Sequence, residues 1–428
     1  MSPIYAPTET YRNKILPLQT QCEIRNTWLK DRLDNVIPAL MTRENVDMWL
    51  VIAREYNEDP IIMTMLPQPQ MSARRRTILV FARHDDGTVD RLTLSRYPME
   101  GYYEHGWNPD DEDQYACLKR VIMERNPQTI AINTSQMWAF GDGLSREEYQ
   151  NIADALGGDL MARTVSAERL CVGWLETRIV PEMDAYPGIV EIGHAIIAEA
   201  FSSSVIHPGV TTTEDVVWWM RQKMQSMGLE AWFQPNVNLQ AYNEQFDELG
   251  DSSERRTVIL PGDLLWCDMG FYYLGLATDQ QQHAYMLKRG ENDAPEGLKE
   301  ALAQANQLQD IHMAEMAVGK TGNAILKTTL ESGREAGLSP TVYSHPLGFH
   351  GHAAGPTIGL WDQQDGVSGQ GDYAVYDNTE YSIELNIKTS VPEWDGQEVR
   401  IMLEEDAMMR DGEMQWLDHR QTSFHLIG

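Results

Sequence analysis

The stretch 264-LLWCDMGFYYLGLATD-279 decides how the second half of the chain is built. The turn pair Gly262-Asp263 precedes it, and apolar and aromatic residues of strand character fill it. It sets two carboxylates, Asp268 and Asp279, eleven positions apart. A carboxylate among apolar strand residues is costly to bury unless it is paired or holds a cation. Two of them on successive strands of a hairpin can face one pocket. The pattern predicts that the C-terminal half is organised around a metal site that begins here.

Three further stretches downstream carry the same signal. In 344-SHPLGFHGHAAGP-356, His345, His350 and His352 fall within eight positions, out of eleven histidines in the chain. Neutral imidazole is the commonest metal ligand. His350 and His352 are expected to share a face of an extended strand. In 381-YSIELNI-387, Glu384 sits inside an apolar run, where a lone glutamate is expelled or paired. In 399-VRIMLEEDAMM-409, Arg400, Met402 and Glu404 share one strand face by the period of two, and Glu405 faces the other way. The bland alternatives are a loop of surface histidines and edge strands with one wet face.

Taken together, Asp268, Asp279, His345, Glu384 and Glu404 make a hard, oxygen-rich donor set. Such a set suits two adjacent divalent cations such as Mn²⁺. Four uncompensated carboxylates in one pocket would repel and take up protons. A hydroxide bridging two metals is a nucleophile at neutral pH, so the chemistry these residues point to is metal-assisted hydrolysis.

Composition narrows the partners. With 428 residues, two domains are expected. The formal charge of -30 opposes binding to nucleic acid or an anionic membrane. The four cysteines, Cys22, Cys117, Cys171 and Cys267, are widely spaced without a CxxC pair, which is not a disulfide framework or a structural zinc site. The start of the chain shows no basic region followed by an apolar core, and no run of eighteen apolar residues occurs. A cytoplasmic enzyme without a signal peptide or membrane span is expected.

The first part of the chain alternates strands and helices and predicts a compact α/β domain. Residues 18–45 have helical spacing, with Pro38 expected to kink or end the helix. Residues 48–53 and 77–82 read as buried strands, and Asp86-Gly87 as a hairpin turn. Ser145 and Glu148 form a capping-box pattern for a helix over 145–156. The pattern changes near residue 180, where the domain boundary is placed, giving domains 1–180 and 181–428. A long helix over about 186–202 follows, then a second one capped by Thr211, Thr212 or Thr213. The polar stretch 241–256 reads as a loop, a mobile or partner-facing insertion. Gly319-Lys320-Thr321 is not a phosphate loop, because the upstream glycine at the required spacing is absent.

The four quoted motifs, in this order, resemble the M24 "pita-bread" metallopeptidases: methionine aminopeptidase, aminopeptidase P, prolidase and the metal-free relative creatinase. The resemblance covers about residues 185–428 and is closest to the two-domain members. It implies an α+β fold, with an N-terminal creatinase-like α/β domain followed by a pita-bread catalytic domain. It also implies roles. Asp268 would hold one metal, Asp279 and Glu404 would bridge both, and His345 and Glu384 would complete the other. Glu384 would also shuttle protons. His352 matches the family's second histidine, which contacts the substrate carbonyl, and Arg400 matches an arginine ahead of the last glutamate. The implied cofactors are two divalent ions, manganese first, with cobalt, zinc or iron as alternatives. The implied substrate is a peptide with a free N-terminus, Xaa-Pro in particular, or a small amide, and the implied assembly is a homodimer or homotetramer.

Three departures stand out. The metal histidine lies in SHPLG rather than GHGIG. Glu404 follows Arg400 by four positions rather than two, which implies a local bulge or shift and leaves Glu405 as an alternative last ligand. Many active members also carry a histidine about seventeen residues before the first aspartate. Here that region contains none, leaving Asn236, Asn238 or a loop residue to replace it. The competing readings are a creatinase-like hydrolase of a non-peptide amide or amidine, a binding scaffold that has lost turnover, and an amidohydrolase barrel suggested by the His350-x-His352 pair. Those barrels place such a pair on their first strand, far from where it stands here.

Overall fold

The computed structural model describes residues 5–244 and 256–428. The chain divides into two compact units. One is Pro17–Ile179; the other is Val180–Gly428 together with the N-terminal segment up to Leu16.

The first unit is built on a six-stranded sheet. Its spatial order is Glu104–His105, Val89–Thr93, Arg76–Arg83, Met48–Arg54, Ile130–Ile132 and Thr164–Ser166. Met48–Arg54 pairs antiparallel with Arg76–Arg83 and parallel with Ile130–Ile132. A central strand covered on both faces needs a continuous apolar run, and 48–53 is buried at every position. Leu50, Ile52 and Val80 pack against Leu118, Val121 and Ile122 of the helix Gln114–Arg125 and Ile152 of the helix Arg146–Leu156. The helical segment from Leu18 does not stop at Pro38. It passes through a π-helical turn, Arg32–Val36, into a helix Ile37–Arg43 whose first turn holds the proline, where a missing N–H costs little.

The second unit carries a nine-stranded sheet among the described residues. Its strands are β1 (Asn236–Gln240), β2 (Leu264–Met269), β3 (Gln280–Met286), β4 (Pro340–Val342), β5 (His345–Leu347), β6 (Thr379–Val391), β7 (Gln397–Arg410), β8 (Glu413–Trp416) and β9 (His425–Ile427). The main order is β4-β6-β7-β3-β2-β1, with β5 on β6, β8 on β7 and β9 on β3. Four long helices frame this unit among the described residues: α1 (Val180–Ala200), α2 (Thr213–Met227), α3 (Glu296–Glu315) and α4 (Gly322–Glu335). Helix α1 starts earlier than its apolar pattern suggests and contains Pro187. Thr212 caps α2, accepting from the Asp215 amide while Asp215 accepts from the Thr212 amide.

The period of two divides β6 and β7 cleanly. Ile383, Leu385 and Ile387, with Val399, Ile401 and Leu403, join Leu298, Leu302 and Leu308 of α3 and Ile325, Leu326 and Leu330 of α4 in one core. Each such aliphatic side chain contributes about 1.5–3 kcal/mol on burial. Ser382, Glu384 and Asn386, with Arg400, Met402, Glu404 and Asp406, take the other face.

The opening stretch is more than one hairpin. β2 and β3 pair directly, and a small hairpin of Phe271–Tyr273 with Leu276–Ala277 stands between them. Leu274 and Gly275, both at positive φ, make its tight turn. Chain enters β2 through Gly262 at φ +97°, where an L side chain would be strained and would meet Lys288.

Candidate metal centre

The register of the sheet lines up one row of side chains across five strands. Asn236 of β1 pairs with Asp268 of β2, Asp268 with Gln281 of β3, Gln281 with Glu404 of β7, and Glu404 with Glu384 of β6. Paired residues of adjacent strands project to the same face. Asp279 ends the small hairpin two positions before Gln281. His345 opens β5 opposite Ser382, and so arrives beside Glu404.

The five expected ligands are brought together. One donor atom each from Asp268, Asp279 and Glu404 lies within 4.8 Å of the other two, and the same holds for His345, Glu384 and Glu404. Glu404 is common to both triads. His345 Nε2 stands 3.4 Å from Glu404 Oε1, 3.7 Å from Asp279 Oδ2 and 4.0 Å from Glu384 Oε2. Asp279, His345 and Glu404 are buried, while Glu384 keeps a wet edge, its side chain 20 % exposed.

This arrangement does not satisfy itself. Asp268 Oδ1, Asp279 Oδ1 and His345 Nε2 are buried with no hydrogen-bond partner. Such atoms normally find one, so unpartnered donors gathered in one buried pocket ask for a cation. His345 Nδ1 faces the Pro346 carbonyl at 3.0 Å, which places the ring proton there and leaves Nε2 as a lone pair for coordination. Burial, then the Glu404 charge, holds the carboxyls of Asp268, Asp279 and Glu384 well above their usual range. A hard divalent cation is the group that offsets both causes, and the oxygen-rich donors with one imidazole fit it.

His352 reaches the same pocket. It forms a third triad with Asp279 and His345, its ring 4.7 Å from that of His345. Desolvation and the neighbouring His345 hold its pKa below the ordinary histidine value. The expected extended strand through His350 and His352 is absent: β5 ends at Leu347 and a bend follows, so His350 stands outside the triads. The glycines of this stretch permit the bend, and the bend brings His352 back to the pocket. A Cβ at Gly351 or Gly270 would overlap the Trp232 indole. That ring packs 5.2 Å from His352 and donates Nε1–H to the Thr278 carbonyl at 2.9 Å.

Arg400 is not in the ligand cluster. It lies four residues along β7 from Glu404, about 13 Å at strand rise. There its Nε donates to Asn386 Oδ1 at 2.9 Å, although its charge favours the ionised form of Glu384. The expected bulge before Glu404 is absent too. The β6–β7 ladder runs unbroken from Thr379–Met409 to Val391–Gln397. Glu405 points away from the cluster. It accepts from Gln282 Nε2 at 2.8 Å and the Gln421 amide at 3.0 Å, and meets His194 Nε2 at 2.6 Å. Residues 245–255, where an upstream histidine was sought, lie outside the described residues. Asn236 flanks Asp268 in the row and accepts from Asn238 Nδ2 at 3.3 Å.

Sequence reasoning passed over several contributors. Ser382 Oγ donates to Glu404 Oε1 at 2.6 Å, and Asp406 accepts from the Asp279 amide. Tyr343 stacks 5.5 Å from His345; burial and the surrounding carboxylates raise its phenol. Gln281 lies at the centre of the row. A run of three glutamines, 280–282, inside a strand was the signal available for it.

The family model for metallopeptidase family M24 matches residues 189–409, more than half of the chain. No curated protein matches the sequence. Among solved structures, the X-Pro aminopeptidase from Thermotoga maritima MSB8 aligns at 17% identity over 89% of this chain and 98% of its own, with a TM-score of 0.62. The Xaa-Pro dipeptidase from Bacillus anthracis aligns at 15% identity over 93% and 100%, with a TM-score of 0.63. The dipeptidase PepE from Mycobacterium ulcerans aligns at 15% identity over 94% and 98%, with a TM-score of 0.60. At such identities the likeness speaks to the fold, here the two-domain α+β architecture with a pita-bread second unit. By its sequence model, which spans the hairpin and all five donor residues, the chain belongs to metallopeptidase family M24.

Proposed function

We propose that this M24 peptidase is a dinuclear enzyme that cleaves the bond after the first residue of a peptide, with Xaa-Pro aminopeptidase or dipeptidase as the activity. The observation that carries the reading is the sharing of Glu404 between two donor triads, Asp268–Asp279–Glu404 and His345–Glu384–Glu404. A single mononuclear site would leave one triad uncompensated. Two of the neighbouring structures, an X-Pro aminopeptidase and an Xaa-Pro dipeptidase, support the choice of substrate.

Divalent ions held there would supply an activated water and polarise the scissile carbonyl, with Mn²⁺ the first choice for so many oxygen donors. The remaining work falls to this chain's side chains. Glu384 has one carboxylate oxygen held by Gln281 and the other 4.0 Å from His345 Nε2, and it would take a proton from the attacking water and return it to the leaving amine. His352, hemmed in by Trp232 and Tyr343, is placed to donate to the carbonyl oxygen as it gains charge. Arg400, on the same face farther along β7, would orient a substrate carboxylate. The four cysteines, all unpaired, fit a reducing cytoplasm. Among the described residues no helix is long and apolar enough to cross a membrane. The family resemblance adds a homodimer or homotetramer.

The test is metal content together with hydrolysis of Xaa-Pro dipeptides and longer peptides in added Mn²⁺. About two metals per chain are expected. Glu384→Gln should lower kcat about 10²–10⁴-fold, and Asp268→Asn should lose metal and activity together. A metal-free protein indifferent to chelators would overturn the reading. Cleavage of dipeptides but not tripeptides assigns dipeptidase over aminopeptidase. A non-peptide amide or amidine substrate is the second reading, favoured by Asn236 rather than an imidazole beside Asp268. Inert peptides with a fully loaded metal site would select it.

A further inference from the structure

Gln281 occupies the middle of the row, between Asp268 on one side and Glu404 and Glu384 on the other. It is buried, at 4 % exposure. Its amide nitrogen donates to Glu384 Oε1 at 2.8 Å and to Glu404 Oε2 at 2.6 Å, and its oxygen accepts from Trp266 Nε1 at 3.1 Å. The orientation of the amide is not arbitrary. Indole N–H is a donor only, so it fixes the oxygen, and the reverse orientation would set that oxygen against two carboxylates. Both amide hydrogens are thereby committed, one to each glutamate.

The two glutamates depend on it unequally. Glu404 has a second anchor, Ser382 Oγ on Oε1. For Glu384, Gln281 is the hydrogen-bond donor that holds the carboxylate among the described residues. A flexible carboxylate beside another one swings away from it unless a donor bridges them. A lysine in that place would supply the bridge but also a positive charge that competes with a cation. A neutral amide bridges without competing.

We propose that Gln281 is a positioning residue that clamps Glu384 against Glu404 and so builds the His345–Glu384–Glu404 half of the centre before any cation arrives. The proposal rests on the metallopeptidase reading above. It assigns Gln281 no contact with substrate; its action runs through the Glu384 carboxylate. Loss of the clamp should weaken metal binding and lower kcat while KM changes little.

The experiment is calorimetric titration of metal-stripped protein with Mn²⁺, beside steady-state kinetics. Gln281→Met keeps the volume and removes the donors; a 10–100-fold weaker affinity is expected, the range for losing an outer hydrogen-bond partner of a ligand. If the methionine variant fails to fold, Gln281→Asn, which draws the amide back by one methylene, carries the same test. Gln280→Met is the control. Gln280 is equally buried on the same strand, but its side chain donates to the Val190 carbonyl on the opposite face, so its Mn²⁺ affinity should match the wild type. Equal affinity in wild type and Gln281→Met would overturn the clamp, and an equal loss in Gln280→Met would reassign the effect to strand packing. A wild type that takes up no Mn²⁺ would instead remove the metal reading itself, and the clamp with it.

Discussion

His194, midway along α1, has both ring nitrogens on carboxylates: Nε2 on Glu405 at 2.6 Å and Nδ1 on Asp418 at 2.7 Å. Asp418 also faces Tyr5 and His419, and His425 lies near enough to be felt electrostatically. Burial opposes a charge on this ring, but Glu405 and then Asp418 outweigh it and lift His194 to about 10. An unfolded histidine titrates near 6.5. Its contribution to stability is therefore fully present below about pH 6.5 and fades as pH rises through about 10. Urea denaturation at intervals between those limits should show the wild type losing on the order of a few kcal/mol more than His194→Gln over the same window. Parallel pH profiles for the two proteins would sink this assignment. None of the network could be read from sequence. His194 looks like one more residue of an apolar helix, and its partners stand 211 and 224 positions away. Glu384 was legible for the opposite reason, since a charge inside a strand-forming run declares that it needs a partner. Gln281 escaped notice because a neutral amide raises no such alarm.

At the scale of elements, the helix Arg146–Leu156 shows what a local motif does and does not tell. Ser145 caps it as expected, its hydroxyl accepting from the Glu148 amide at 3.3 Å. The reciprocal half of the expected box is replaced by tertiary contacts. The Glu148 carboxylate, buried, meets Arg76 Nε at 3.0 Å and Arg54 Nε at 3.1 Å, and accepts from the Tyr115 hydroxyl. A motif read along the chain cannot see cations arriving from 72 and more positions away. The two residues should then separate on substitution. Ser145→Ala should cost about 1 kcal/mol. Glu148→Ala should cost about 2 kcal/mol, because it removes a buried carboxylate shared by two partly exposed arginines and Tyr115. Chemical denaturation of both variants decides the matter, and equal losses would restore the simple box. The β6 and β7 strands, by contrast, were legible in part, over 381–387 and 399–409, although the bulge expected before Glu404 is absent from the ladder. The Phe271–Ala277 hairpin was not legible, because its turn, Leu274-Gly275, carries a bulky residue at positive φ where sequence rules favour Asn or Asp.

On the scale of the whole molecule, the N-terminal segment belongs to the second unit. Tyr11 donates to Glu191 at 2.8 Å and the Leu16 amide donates to the Tyr273 hydroxyl at 3.0 Å. Order along the chain had assigned it to the first domain, since nothing in a short polar segment announces a contact 180 residues away. The net charge of -30 makes the carboxylate-rich pocket expensive in the absence of a cation. Mn²⁺ should accordingly raise the thermal midpoint of the second unit, with about 2.7 kcal/mol gained at a hundredfold excess over Kd. EDTA should reverse the gain, and a melting curve that ignores both additions would contradict the cation-dependent pocket. Glu404 and Glu405 are adjacent, and each faces its own set of partners, the ligand row and His194. A slip by one residue would exchange them, so each compartment would still receive a carboxylate. The two glutamates alone therefore discriminate weakly between the native and shifted ladders, although Asp406, on the Glu404 face, would lose the Asp279 amide. The discrimination falls to Ile401 and Leu403, which the slip would turn out of the core, and to Arg400, which it would turn in. Fidelity of pairing in this sheet is enforced chiefly by aliphatic residues that take no part in its chemistry.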